Sequence, residues 1–359
     1  MIAVGVPLIV QPLSAYAATD SAGFNLTISP LPISLKTKPG QTTTTPLSVQ
    51  NTGSQPVQLR VSLMKFSAKN DTGEPVIQDP GPGDTYLKWV SFSKTSFLAN
   101  PGVLNTVTMT IKVPKDAGFG YYYAVMFSQD TGNQPKATDR NTVNGAVASL
   151  VLMEVDAPGL RRELQVTSFT STKKVYQYLP ATFTITVKNT GNTHAVPQGN
   201  IFIGRTDDGN FINTLPINEE QGNVLPNSSR TFTVDWGNGF PSYEVKRQNG
   251  QIVSEQSGKP VKELKWNLAN ADKLRFGKYM ASMTLVYDNG VQDVPINGTL
   301  TFWVIPWIPI LIIIAILALL GFGIFAFVRG TYRRAKRLKR PSGKSNKSSS
   351  KKEQSGNEA

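Results

Sequence analysis

The 359-residue chain contains no cysteine and only one histidine, His194. The absence of cysteine excludes disulfide scaffolds, cysteine-ligated zinc, iron–sulfur clusters and thiol nucleophiles. A lone imidazole forms neither a zinc site nor a convincing general base, and we interpret His194 as a solvated turn residue. Without disulfides, each folded domain of an exported chain has to be stable on its hydrophobic core alone.

Sequence motifs for catalysis are also missing. No glycine-rich phosphate loop, serine elbow or acidic metal pair on a helix occurs in the sequence. The carboxylate pairs 207–208 and 219–220 would point to opposite faces of a strand, which is not the opposed geometry of a glycosidase. The acidic segments 71–74 and 207–210 lack the spacing of a calcium loop and are typical of ordinary turns. We therefore expect a non-enzyme without a metal or cofactor.

Most of the excess positive charge lies at the C-terminal end. The chain has 37 basic and 24 acidic residues, a formal net charge of +13. Eleven basic and two acidic residues lie between Arg329 and Ala359, which leaves 26 basic and 22 acidic residues, or +4, for residues 1–328. Because the body is nearly balanced, the sequence indicates no nucleic-acid partner.

One long apolar segment lies near the C-terminus. No charged residue occurs between Asp293 and Arg329, and residues 309–328 are almost entirely hydrocarbon. Twenty residues at about 1.5 Å each span about 30 Å, the thickness of a bilayer core. Trp303 and Trp307 precede this run, at the level where amphipathic rings favour the headgroups. We predict a transmembrane segment over residues 303–328.

Seven cations follow this segment within twelve residues, and they include Arg329, Arg333, Arg334, Lys336 and Arg337. Cations beside a span remain on the cytoplasmic side, so the sequence predicts a single-pass protein of the cell membrane with its N-terminal domains outside the cell. The same cluster can bind anionic membrane lipid. Residues 329–359 contain few apolar side chains and are predicted to form a disordered, basic cytoplasmic tail.

The first eighteen residues are uncharged and end in Ala15-Tyr16-Ala17-Ala18, a small-x-small pattern of the kind that signal peptidase cleaves. We interpret residues 1–18 as a signal peptide, and because no basic leader precedes its apolar part, a start upstream of Met1 is left open. The alternative is a disordered or strand-forming N-terminus.

Strict alternation of apolar and polar residues predicts half-buried strands, for example over residues 57–63, 106–113 and 182–188. Two stretches repeat along the chain. Residues 49–54 match 187–192 at an offset of 138, and residues 119–126 match 276–283 at an offset of 157. Many short strands in two units of this length are typical of tandem immunoglobulin-like β-sandwiches.

We therefore predict an all-β ectodomain of two sandwiches, over residues 19–158 and 159–301. The increase of the offset by 19 residues indicates an insertion in the second copy. Its expected place is a hairpin at about residues 241–260, around an Asn249-Gly250 turn.

Two surfaces are candidates for ligand binding. Period two places Tyr122, Ala124 and Met126 on the core face, so Tyr121 and Tyr123 should point outward and could stack on a sugar or peptide. The alternative for this pair is cross-strand packing, or cover by the loop over residues 130–145.

The second candidate is the inserted hairpin with Asn249 and Gly250, because binding residues concentrate on variable elements of a rigid sandwich. Its alternative role is protection of a sheet edge by charged side chains.

The order of motifs also resembles a known family. Pro39-Gly40 precedes the Asn51-Thr52-Gly53 turn, the segments 70–73 and 113–118 follow, and a Trp-flanked span with a basic tail closes the chain. In this layout the chain resembles the WxL-interacting surface proteins of Gram-positive bacteria. The resemblance implies a signal peptide, a peptidoglycan-binding immunoglobulin-like domain, a second domain that engages other proteins, and one C-terminal helix.

From these patterns we expect a membrane-anchored, non-catalytic adhesion protein at the cell surface, which binds cell-wall polymer or another surface protein. The competing hypothesis is a scaffold or accessory subunit of an envelope export or assembly complex.

Overall fold

The structure is a computed structural model that describes residues 25–130, 146–206, 209–255 and 257–338, with side chains up to residue 334. It is mostly β, with one long C-terminal helix, as the sequence predicts. The expected signal peptide, the loop over 131–145, the acidic pair 207–208 and the tail from 339 onward lie outside the described residues.

The first sandwich has two sheets around one core. One sheet contains, in spatial order, β1 (Leu26–Ser29), β3 (Thr42–Asn51), β8 (Leu104–Lys112) and β6 (Val90–Phe92). The other contains β2 (Ile33–Thr37), β10 (Ala146–Val155), β9 (Phe119–Gln129), β4 (Val57–Ala68) and β5 (Pro75–Gln78), with β7 (Ser96–Ala99) also paired to β4. Alternate residues of these strands fill the core, among them the fully buried Leu47, Val107 and Phe127.

The second sandwich repeats this plan with its own core. One sheet contains β11 (Leu164–Ser171), β13 (Ala181–Asn189) and β16 (Ser229–Trp236). The other contains β12 (Val175–Tyr176), β22 (Asp293–Val304), β21 (Gly277–Asp288), β14 (Gln198–Arg205) and β15 (Phe211–Ile217). Trp236, Tyr279, Phe183 and Phe302 meet in its core, with Phe302 within 6 Å of the other three ring centroids.

In both sandwiches the first two strands belong to different sheets. β1 pairs antiparallel with β3, and the following β2 pairs parallel with β10 on the other sheet. Likewise β11 pairs antiparallel with β13, and β12 pairs parallel with β22. The internal sequence similarity is therefore a repeat of one immunoglobulin-like topology.

The repeated Asn-Thr-Gly motif ties the end of the third strand to neighbouring loops. The Asn51 side-chain amide donates to the carbonyls of Gln55 and Ala99 at 2.7 and 2.9 Å, and its side-chain oxygen accepts from the Gly53 amide. Asn189 repeats all three bonds, donating to Thr193 and Val224 and accepting from Gly191, each at 2.8 Å. Both asparagines are buried, so each motif satisfies backbone groups that water does not reach.

β9 of the first sandwich corresponds to β21 of the second. In the structure these two strands are offset by 158 residues rather than by the 157 that the sequence match indicates. Phe119 and Gly277, the first residues of β9 and β21, both have positive φ, at 81° and 122°. The pairing with the neighbouring strand shows the same offset. Phe127 of β9 lies opposite Val61 of β4, and Leu285 of β21 lies opposite Gly199 of β14. The register of β9 therefore differs by one residue from the sequence alignment, and its faces are exchanged.

The insertion in the second sandwich is a long hairpin. β17 (Ser242–Val245) pairs with β20 (Lys262–Lys265), and beyond them β18 (Arg247–Gln248) pairs with β19 (Gln251–Ile252). Asn249 and Gly250 join the last two strands with φ of 52° and 80°, as a type I′ turn requires. A 3₁₀ helix, Leu268–Lys273, leads from this hairpin toward β21.

The C-terminal helix α1 (Trp307–Leu338) forms a unit separate from the sandwiches, which together make one compact unit that ends at Val304. Within the described residues, Trp307–Arg334 is the one helix long and apolar enough to cross a membrane, by length and composition.

The structure differs from the prediction at two bounds of the C-terminal region. Trp303 belongs to β22 and not to the predicted membrane segment, because its backbone pairs with Lys278. The cations from Arg329 to Arg337 extend α1 and are not disordered, since Lys and Arg are good helix formers.

Candidate functional site at the junction of the two sandwiches

The turn between β4 and β5 adds to a sheet of the second sandwich. The Asp71 amide donates to the Ser229 carbonyl at 3.0 Å, and the Thr231 amide donates to the Asp71 carbonyl at 2.7 Å. This turn was predicted as an ordinary one, and here its backbone caps part of the outer edge of β16. Gly73 has a φ of 70°, and a Cβ there would lie 2.6 Å from the Arg230 side chain, so the close approach favours glycine.

A buried ion pair joins β10 to the chain that follows it. Glu154 is 3% exposed, and the Arg162 guanidinium faces it with two donors, Nε to Oε2 at 2.9 Å and Nη2 to Oε1. Thr193 of the second sandwich also donates to Glu154, at 3.4 Å. Arg162 Nη1 is 3.7 Å from Asp288, at the end of β21. One arginine therefore contacts the carboxylates of both sandwiches.

Apolar side chains on the outer face of the first sandwich also contact the second. Met64, Phe66, Ala124 and Met126 form a cluster with Leu225, which lies in the segment before β16. Beside it the Tyr122 ring meets the His194 imidazole edge-on, with centroids 5.8 Å apart and the hydroxyl 3.4 Å from Nδ1. The junction thus has an apolar patch next to its ion pair.

His194 is half-buried in this junction, so its interpretation as a solvated turn residue is wrong. Burial lowers the pKa of His194 to about 4, because the charged imidazolium loses hydration there. Glu154 opposes this shift, while the cationic Arg162 and Lys36 add to it. His194 is therefore neutral at pH 7 and packs as an uncharged ring.

We expect acid to weaken the junction through His194. Its pKa in the unfolded chain is about 6.5, so the unfolded chain binds the proton first and the free energy of unfolding falls from pH 6.5 toward pH 4. The free energy of unfolding can fall by at most about 1.4 kcal/mol per pH unit for one group. Solvent screening of a half-buried group reduces this loss to roughly 0.5–1 kcal/mol per pH unit. Urea unfolding of residues 25–304 at pH 7 and pH 5 should show this loss, and His194→Gln should remove most of it. An unchanged pH dependence in His194→Gln would contradict the assignment.

A cleft of about 570 Å³ opens beside the ion pair. Its charged lining side chains balance in sign: Lys36, Lys38, Arg162, Glu154, Asp156 and Asp288. Within the described part of the chain, neither Lys36 nor Lys38 forms an ion pair, which leaves their ammonium groups available at the cleft. Because its positive and negative charges are equal in number, the cleft suits a polar ligand of mixed charge better than a polyanion.

An open strand edge borders the same cleft. β2 is the outermost strand of its sheet, and in the described residues its second side pairs with no strand. Lys36 and Thr37, at the end of β2, line the cleft. Unpaired backbone amides and carbonyls of an edge strand can accept an added strand, and the neighbouring cleft can hold its side chains.

The predicted tyrosine pair does not form an outward surface. Tyr123 is fully buried in the core of the first sandwich, and Tyr121 is half-buried against it. The rings of Tyr86 and Trp89 pack on Tyr121 at 5.4 and 4.7 Å. The predicted orientation is wrong because of the register of β9, and Tyr122 is the residue that faces the second sandwich.

The other predicted residues lie elsewhere. Asn249 and Gly250 are exposed at the tip of the insertion in the second sandwich, whereas Tyr121 and Tyr123 belong to β9 of the first. Among the described residues no three histidine, aspartate or glutamate side chains group as metal ligands.

Sequence reasoning missed the Glu154–Arg162 pair. A glutamate inside the apolar run of β10, followed by two arginines after the Pro-Gly linker, was the available signal of a buried ion pair.

No family model and no curated protein matches the chain. Solved structures that match it include the class 5 fimbriae chaperone CfaA, at 17% identity and a TM-score of 0.34, over 68% of this chain and 100% of that one. The CupB2 chaperone of Pseudomonas aeruginosa matches at 12% identity and 0.31, over 77% and 100% of the two chains. The E. coli chaperone DraB matches at 12% and 0.30, over 78% and 97%. TM-scores this low assign no function.

Proposed function

We propose that this chain is a membrane-anchored, non-catalytic scaffold of the cell envelope that holds a polypeptide partner at the junction of its two sandwiches. The observation on which this depends is the open edge of β2 beside a cleft of mixed charge. A peptide that adds to an edge strand gains main-chain hydrogen bonds, and the cleft supplies contacts for its polar side chains.

The rigidity of the junction supports this function. The added backbone pairing at Asp71, the Glu154–Arg162 pair and the Leu225 contact hold the two sandwiches in one compact unit. A cleft between rigid bodies binds a partner without first having to order itself, which lowers the entropic cost of binding.

The membrane anchor is part of the proposal. The apolar part of α1 would span the bilayer, with the cations after Val328 on the cytoplasmic side and the sandwiches outside. This arrangement places the cleft in the envelope, where an assembly complex would work.

Binding to cell-wall polymer has less support. The aromatic pair that favoured it, Tyr121 and Tyr123, is packed into the first sandwich rather than presented to a ligand. The resemblance to WxL-interacting proteins stays a prediction.

Photo-crosslinking in intact cells tests the proposed partner site. A photoreactive amino acid at Ser34, exposed on β2, should yield a discrete covalent adduct with a protein. The matched control is Ser91, which is also an exposed serine on an edge strand, β6, of the other sheet. We expect no adduct from Ser91. Equal labelling at both positions, or retention of the purified chain on peptidoglycan without protein adducts, would contradict the proposal.

A further inference from the structure

A second surface lies at the other end of the second sandwich, away from the junction. β21 runs from Gly277 to Asp288, and Asp288 is the residue that reaches Arg162 at the junction. Twelve strand residues extend about 40 Å, so Gly277 marks the far end. β22 ends there as well, because Val304 pairs with Gly277. Only Ile305 and Pro306 separate this end from α1, a reach of about 7 Å.

The inserted segment belongs to this far end. It leaves the sandwich after Trp236, at the end of β16, and returns at Gly277. The insertion is therefore tied by short connections to the end of the sandwich that continues into the apolar helix. The function proposed for the junction does not involve this insertion.

Large apolar side chains are exposed on this end. Trp266, Leu268, Leu274 and Phe276 are 54–76% exposed. The Trp266 ring packs edge-on against Phe240, at 5.8 Å, which holds the tryptophan in place while more than half of it faces outward. Four large apolar side chains exposed within residues 266–276 are more than ordinary scatter and mark a candidate interaction site.

The inserted segment also carries a net positive charge. Residues 237–278 contain eight basic and four acidic residues, a net charge of +4. Residues 1–328 as a whole also sum to +4, so the remainder of that stretch is neutral. The net positive charge of residues 1–328 therefore lies on the segment that also exposes the apolar side chains. Tryptophan and leucine beside lysine and arginine is the composition of surfaces that lie in a membrane interface.

We infer that this far end of the second sandwich docks onto the outer surface of an anionic bilayer. Trp266 and Leu268 enter the headgroup region, and lysines of the same segment pair with lipid phosphates. The inference rests on the proposed span of α1, because a helix that crosses the bilayer brings the surface to within a few residues of the headgroups.

Site-specific labelling of the full chain in vesicles tests this contact. The chain has no cysteine, so a single introduced cysteine takes an environment-sensitive fluorophore cleanly. Leu268→Cys reports the proposed contact. Val291→Cys is the matched control, an exposed valine at the opposite end of the same sandwich. Ile316→Cys, inside α1, reports the span itself.

In vesicles of phosphatidylcholine with 30% phosphatidylglycerol, we expect nitroxide-labelled lipid to quench the Leu268→Cys probe at least threefold more than the Val291→Cys probe. Adding Lys259→Gln, Lys262→Gln and Lys265→Gln to Leu268→Cys should reduce that quenching at least twofold. Equal quenching at positions 268 and 291, with the position 316 probe protected from aqueous iodide, would overturn the docking surface and leave the span intact. An iodide-accessible probe at position 316 would instead overturn the span, and the docking inference with it.

Discussion

Replacing Arg162 by alanine is expected to destabilise the two-sandwich unit by about 3–5 kcal/mol, since it leaves the Glu154 carboxylate buried without its cation. Urea unfolding of residues 25–304 measures the change. Arg161→Ala is the matched control, because its pair with Glu163 is solvent-exposed and should be worth less than about 1 kcal/mol.

The double replacement Glu154→Leu with Arg162→Leu should recover most of the lost stability, because two apolar side chains of similar volume leave no buried charge. An Arg162→Ala loss no larger than that of Arg161→Ala would show that Glu154 reaches water at the junction. That outcome would also remove the ion pair as the element that holds the cleft in shape.

Replacing either repeated asparagine by alanine is expected to cost about 3 kcal/mol or more, because two buried carbonyls lose their donor and one amide loses its acceptor. Asn51→Ala should act on the first sandwich and Asn189→Ala on the second. The chain has five tryptophans, so fluorescence is measured in variants whose sole tryptophan is Trp89 or Trp236, which separates the two unfolding transitions.

Asn100→Ala is the control for this pair, because Asn100 is exposed and should change the free energy of unfolding by less than about 0.5 kcal/mol. If Asn51→Ala and Asn189→Ala unfold like this control, the amide contacts do not contribute to stability.

Much of the fold was predictable because one local signal, the alternation of apolar and polar residues, decides strand structure. The strand over residues 182–188 falls within β13, and the Asn249-Gly250 dipeptide forms the turn that its positive φ values favour. The C-terminal helix was also predictable, since twenty apolar residues in a row leave few other structures.

The faces of β9 were not predictable from the repeat. Six consecutive residues, Tyr123 to Ser128, are buried, so the strand shows no alternation from which to choose a face. The sequence match aligned Phe119 with Phe276, but the backbone places Phe119 at the position of Gly277. A shift of one residue exchanges the two faces, and the tyrosine prediction failed for that reason.

The junction was beyond sequence reasoning for a different reason. Its contacts join residues that are far apart in the chain, such as Asp71 with Ser229 and Tyr122 with His194. No periodic pattern relates such positions, and a single histidine after a turn has the same sequence context whether it is solvated or packed.

The pairing of the β4–β5 turn with β16 has a consequence for anyone who truncates this protein. A chain that begins at Gly159 would lack Asp71 and would present the outer side of β16 to solvent, next to Leu225 without its apolar cover. Such a fragment is prone to self-associate through that edge, and the shortest well-behaved ectodomain should include both halves of the repeat.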